Sequence, residues 1–135
     1  MAKARIISRR EWELSVVCED RPGTLSQLAK LLGDAKVNIL ATSCATLGVQ
    51  GAVRVIVDNV ARAKKALDRE RLPYTEHEVL YVELPNLPGA LARFAAKLAA
   101  QNINVTAAYG SAAKGSKRAI IIFKVSDLDN AARIK

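Results

Sequence analysis

The sequence predicts an α+β protein of two tandem βαββαβ repeats, with antiparallel sheets, helices on one face, and a second repeat lacking its last strand. Three observations predict it. An apolar strand followed by a Pro-Gly turn occurs twice, as Asp20-Arg21-Pro22-Gly23-Thr24-Leu25 and as Asn86-Leu87-Pro88-Gly89-Ala90-Leu91, 66 positions apart. That offset holds for Leu28 and Phe94, Leu32 and Leu98, Asn38 and Asn104, and Ile39 and Val105, then becomes 68 for Val57 and Val125 and for Val60 and Leu128. Within each copy the apolar period switches between that of a strand and that of a helix. A Pro-Gly match is easy to obtain by chance; register held through four successive elements is not.

The elements follow in order. Glu13 to Glu19 alternates, with Leu14, Val16 and Cys18 on one face, as a half-buried strand does. Leu25, Leu28, Ala29 and Leu32 keep helical spacing. Asn38 to Thr46 reads as a strand, Gly48 to Gly51 as a turn, and Ala52 to Val57 as a strand rich in β-branched residues. Val60, Ala63 and Leu67 mark a second amphipathic helix with Arg62, Lys64, Lys65 and Arg69 outward, stopped by Pro73; Tyr74 to Glu78 is a short strand. The second copy gives strand Val79 to Leu84, helix Leu91 to Gln101, strands Ile103 to Gly110 and Arg118 to Val125, and a short helix from Asp127. This order is the ferredoxin-like split βαβ arrangement. It divides the chain into a basic segment 1–11, a first repeat 12–78 and a second repeat 79–135 that is short at its C-terminus.

Two features bear on assembly. Ile121, Phe123 and Val125 can face the helices, but Ile120 and Ile122 then face the other way, so both faces of that strand need cover. The second repeat runs out before its fourth strand, and an open sheet edge invites pairing. Small repeats of this kind are marginal alone; packing the repeats together or dimerising meets both needs, and a homodimer or higher homo-oligomer is expected.

Composition excludes several classes. Half of the 135 residues are apolar and 25% are charged, which favours a folded domain over disorder. The net charge of +8 is scattered over Arg5, Arg9 and Arg10, over Arg62 to Arg71, and over Lys114 to Arg118. Solvated helix faces account for such a pattern more readily than an anionic partner does. Cys18, Cys44 and the lone His77 have no metal-ligand spacing, so no metal and no cofactor are expected. No signal-like stretch and no membrane-length apolar run is present, which leads to the expectation of a cytoplasmic protein without a membrane partner. No Ser/His/Asp set and no paired carboxylates stand in a shared motif, and the chain is read as non-enzymatic.

The chemistry-bearing positions cluster in the two strand-to-helix loops, Asp20, Arg21, Pro22 and Gly23 in the first and Asn86, Leu87, Pro88 and Gly89 in the second. A helix N-terminus offers free N–H groups to a carboxylate, and glycine lets backbone approach a ligand. Asp20 or Asn86 then serves an ammonium group. The alternative is structural: Asp and Asn are ordinary N-caps, and Thr24 with Gln27 offers a capping box. Gly48-Val49-Gln50-Gly51-Ala52-Val53-Arg54 looks like the anion loop of acylphosphatases, but it lies between the second and third strands and is read as a hairpin turn.

Asp20-Arg21-Pro22-Gly23-Thr24-Leu25, followed after one helix by Val37-Asn38-Ile39, resembles the signature of ACT regulatory domains. The whole span from Trp12 to Ile134 resembles the stand-alone tandem ACT proteins, and Asn102-Ile103-Asn104-Val105 with Tyr109 fits the second copy. The resemblance implies a regulatory module that binds a small effector, an amino acid, at the interface between ACT-like repeats, and a regulated enzyme in trans. It adds Leu25, Leu91, Asn38, Ile39, Asn104, Val105 and Tyr109 as candidate walls of the site. Asp20 stands where many ligand-binding loops of that family carry Asn, so Asn86 matches better and the second loop ranks slightly first. Asn38 and Asn104 have a structural alternative as left-handed helix caps, and Ile39 and Val105 as core. The competing readings are nucleic-acid binding and pure assembly. Nucleic acid is not expected, because aromatics are 4% of the chain and Val53, Val55 and Ile121 stand where base-stacking aromatics are needed.

Overall fold

The computed structural model describes residues 5–47 and 50–135, with backbone only at Leu47. Its elements run β1 (Ile7–Glu19), α1 (Thr24–Asp34), β2 (Ile39–Leu47), β3 (Gln50–Val57), α2 (Val60–Arg69), β4 (Tyr74–Pro85), α3 (Ala90–Ala100), β5 (Val105–Ser111), β6 (Arg118–Val125) and α4 (Leu128–Ala131). The β1–β3, β2–β3, β4–β6 and β5–β6 pairings are antiparallel. Gly48 and Val49, half of the expected turn, lie outside the described residues.

The chain folds into two compact units. The first, Trp12–His77, has strand order β2-β3-β1-β4 and carries α1 and α2. Opposite residues in a ladder share a face, so Leu14 with Val55 and Val16 with Val53 point together toward the helices. There they meet Leu28 and Leu32 of α1 and Ala63 and Leu67 of α2, all nearly or wholly buried. Asn59 caps α2, its side chain accepting from the Arg62 N–H.

The second unit is built from Met1–Glu11 and Glu78–Lys135. Its order is β1-β4-β6-β5, and its core gathers Leu80, Val82, Leu84, Phe94, Leu98 and Phe123, with the rings of Phe94 and Phe123 5.1 Å apart. Among the described residues the element after β6 is the short α4. The place beside β4 that a fourth strand takes in such a repeat is filled by the first residues of β1. Ile6 packs on the core, Arg9 lies over the Tyr81 ring at 3.9 Å, and Arg10 pairs with Glu78 and Asp129. Arg118 donates to the Arg5 and Glu83 carbonyls, tying that segment to its neighbours.

Strand β1 therefore begins at Ile7 rather than at Glu13, and β4 is one strand where two short ones were expected. Alternation is hidden in Ser8-Arg9-Arg10-Glu11 because polar side chains occupy both faces there, one of them covering Tyr81. The face of β6 turned from the helices is covered, as its two-sided apolar pattern requires: Ile122 is 1% exposed and its register partner Tyr81 6%.

Candidate functional site

The two strand-to-helix loops are backbone copies of each other. Arg21 N–H donates to Glu19 O at 3.0 Å, and Leu87 N–H to Pro85 O at 2.9 Å. Gln27 N–H reaches Gly23 O at 2.9 Å, and Arg93 N–H reaches Gly89 O at 3.0 Å. Gly23 (φ +90°) and Gly89 (φ +86°) are the N-caps, in the left-handed region where a Cβ is disfavoured. Neither helix has a side-chain cap. The expected capping roles of Asp20, Asn86 and the Thr24–Gln27 pair are thus not what the chain uses. Thr24 instead donates its hydroxyl to Glu19 O at 2.9 Å, bracing the loop across its base.

Side-chain surroundings separate the copies. Asn86 donates its amide to Ser116 O at 2.8 Å and its backbone N–H to Lys117 O, so it is pinned to the β5–β6 connection. Asp20 has no hydrogen bond or ion pair among the described residues, and it lines a small cavity. Leu25 and Leu91 hold equivalent positions and are exposed alike, 48% and 50%; Leu87 is exposed too. Pro22 and Pro88 are the turn residues before each glycine.

Two cavities flank the first loop. A cleft of about 610 Å³ is lined by Val17, Cys18, Glu19 and Arg21, by α1 from Thr24 to Asp34, and by Glu70 and Leu72 ahead of β4. A smaller one, about 130 Å³, lies between Glu19–Leu25 and the strand ends at Cys44–Thr46 and Gly51–Val53. Arg21 borders both, and its guanidinium meets the Glu19 carboxylate at 2.8 Å. Both members of that pair are exposed, so it costs little to open. Burial, and secondarily the nearby Cys44 thiol, pushes the Cys18 thiol up from its ordinary range.

The remaining sequence candidates stand elsewhere. Asn38 exchanges bonds with Asp58, its N–H donating to Asp58 Oδ1 and its carbonyl accepting from the Asp58 N–H; Asn104 does the same with Ser126. The left-handed positions after α1 and α3 are Lys36 (φ 63°) and Asn102 (φ 58°), not Asn38 and Asn104. Ile39 and Val105 pack against the cores of their own units. Tyr109 pairs in register with Ile122 and is half-buried. Of the fifteen candidates, then, the structure gathers Asp20, Arg21 and Leu25 around cavity space at the first loop. Glu19, Thr24, Gln27, Leu28, Leu31 and Leu72 line the larger cleft and are not among those fifteen. Their spacing at 24, 27, 28 and 31 is one helix face, where the sequence predicts a capping box at Thr24 and Gln27 and helix packing at Leu28.

Val53 and Val55 face the core, 5% and 1% exposed, and the residues between and beyond them on the outer face are Arg54 and Ile56. That face of β3 has no aromatic, and Tyr81 in the second unit is buried beneath Arg9. No helix among the described residues is long and apolar enough to cross a membrane, and no cluster of three metal-ligating side chains is present among them.

Residues 11–135 match the family model of the ACT domain pair. No curated protein matches the sequence. Protein BT0572 from Bacteroides thetaiotaomicron is similar in structure with a TM-score of 0.85 and 26% identity, covering 92% of this chain and 85% of that one. The regulatory subunit of aspartate kinase from Thermus thermophilus, in a ligand-free form, gives 0.71 at 13% identity, covering 97% and 93%. The corresponding subunit from Thermus flavus gives 0.63 at 14%, covering 94% and 91%. At such identities the two kinase subunits show a shared fold.

Proposed function

The chain belongs to the ACT domain pair family, and on that premise we propose that it is a non-catalytic regulatory module whose first repeat binds a free amino acid beside the β1–α1 loop. The observation that carries this reading is the cleft of about 610 Å³ that opens at Arg21 and Glu19, within the size range of small-molecule sites. An amino acid's head group is a fixed pair of opposite charges. The exposed Glu19–Arg21 pair is its complement: the guanidinium takes the carboxylate, and the Glu19 carboxylate takes the ammonium. Gly23 has nothing within 4 Å of where a Cβ would stand, so the loop backbone is open to the ligand. The four-strand fold holds the loop by its base, at Thr24 to Glu19, and leaves its tip free to close.

The effector acts by binding the folded form and fixing the loop against α1, which changes the surface offered to an enzyme on a separate chain. The kinase regulatory subunits of similar fold support a role of this kind. Self-association into a homodimer or larger homo-oligomer belongs to the same proposal. The test is equilibrium dialysis of the full chain against an equimolar mixture of the twenty amino acids, read by mass spectrometry. One or a few amino acids should be enriched on the protein side, chemically unchanged, and the enrichment should vanish in Arg21→Ala. Equal enrichment by Arg21→Ala, or none by the parent, removes the reading.

A further inference from the structure

Resting on that reading of the first-repeat loop, we infer that its ligand is an α-amino acid with a large apolar side chain. The cleft's lining combines the charged pair Glu19 and Arg21 with an apolar set. Glu19 and Arg21 are the exposed part of it, 80% and 53% exposed. The apolar set is Val17, Leu28, Leu31 and Leu72. Leu28 is 3% exposed, while Leu31 and Leu72 are half-buried, so they present part of their surface outward although they pack on the core from behind. An amino acid anchored by its head group on Glu19 and Arg21 lays its side chain across this strip. Burial of apolar surface on both partners is then the gain that grows with side-chain size.

The polar groups farther along add little for a polar side chain. Lys30 and Asp34 satisfy each other at 2.6 Å on one turn of α1. Glu70 lines the cleft and has no ion pair among the described residues, which makes a basic amino acid the rival ligand. Glu70 is solvent-exposed, as Glu19 and Arg21 are, so a basic amino acid is the rival outcome that the experiment below decides. A short or acidic side chain gains neither the apolar strip nor Glu70.

The experiment is a thermal-shift titration of the full chain with each amino acid separately, repeated on Gln27→Trp. Gln27 is an exposed residue of the α1 face that lines the cleft, and tryptophan there fills the cleft from the solvent side. Leucine, isoleucine, methionine or phenylalanine should raise the Tm in a concentration-dependent way, with apparent affinity at least about tenfold above glycine or alanine. Gln27→Trp should unfold cooperatively and lose the response. A response confined to lysine, arginine or polar amino acids overturns the apolar assignment and leaves the amino-acid reading standing. A response to apolar amino acids that survives in Gln27→Trp overturns the placement of the side chain along α1. No response to any amino acid overturns both.

Discussion

Gly23 and Gly89 hold the same left-handed conformation, φ +90° and +86°, each as the N-cap of the helix that follows its loop. No side chain caps either helix, so the glycines themselves set how the chain turns from strand to helix. Gly23→Ala meets no atom within 4 Å, and its cost is conformational alone, about 1–2 kcal/mol. Gly110→Ala is a different case. Its Cβ would overlap the Ile120 carbonyl oxygen and approach Ile121 Cα at 2.8 Å, so the β5–β6 ladder itself must shift. Urea denaturation should show Gly110→Ala as the more damaging of the two, by roughly 3 kcal/mol or more against the parent. Equal effects would contradict the close approach.

The glycine pair also shows how far the sequence carries. The repeat, the element order and the helix-facing residues were legible because burial on one face imposes a period. Cap chemistry was not. Asp20 and Asn86 have the right residue types for N-caps, but the N-cap positions fall three residues later, on Gly23 and Gly89. The left-handed residues after α1 and α3 fell on Lys36 and Asn102 for a similar reason: the turn closes through Lys36 N–H to Gly33 O and Asn102 N–H to Ala99 O, two residues before the asparagines singled out. The cleft was illegible because its wall joins α1 to Glu70 and Leu72, distant in sequence and marked by no spacing. The strand role of Ile7–Glu11 was hidden because its side chains are charged on both faces.

The edge of β4 in the second unit is covered by the first residues of β1. Deleting residues 1–10 removes Ile6 from the core, Arg9 from the Tyr81 ring and Arg10 from Glu78 and Asp129. The shortened chain should lose amide protection along Leu80–Leu84 and gain a tendency to associate, since it bares a sheet edge. Hydrogen exchange by mass spectrometry and size exclusion check both. Unchanged protection there would mean that β1 contributes no strand to this unit.

The two thiols should differ in reactivity. Cys44 is exposed, whereas burial raises the Cys18 thiol above its ordinary range, with a smaller contribution from Cys44. The thiolate is the reacting form, so at pH 8 iodoacetamide should modify Cys44 first. Because the folded-state value of Cys18 is raised, its neutral thiol supports the fold fully at neutral pH, and that support declines as pH rises through the folded value. Peptide mapping after brief alkylation tests the order; faster labelling of Cys18 would contradict it.

Asn86 is held by Ser116, and its replacement should be felt in the fold. Asn86→Ala loses the amide bond to the Ser116 carbonyl and should cost about 1 kcal/mol. Arg21→Ala, which removes only an exposed pair, should leave stability within about 0.5 kcal/mol. Amino-acid affinity should respond in the opposite order, lost in Arg21→Ala and within twofold of the parent in Asn86→Ala. Denaturation and dialysis on the same preparations separate the two effects.

The most direct test of the effector site is backbone amide NMR of the ¹⁵N-labelled chain titrated with an equimolar mixture of the twenty amino acids. Saturable shifts concentrated in Glu19–Thr24 and along Gln27–Leu31, with little change in Asn86–Leu91, are the predicted result. Shifts concentrated in Asn86–Leu91 would place the ligand at the second loop, and a spectrum unmoved at millimolar concentrations would contradict amino-acid binding altogether.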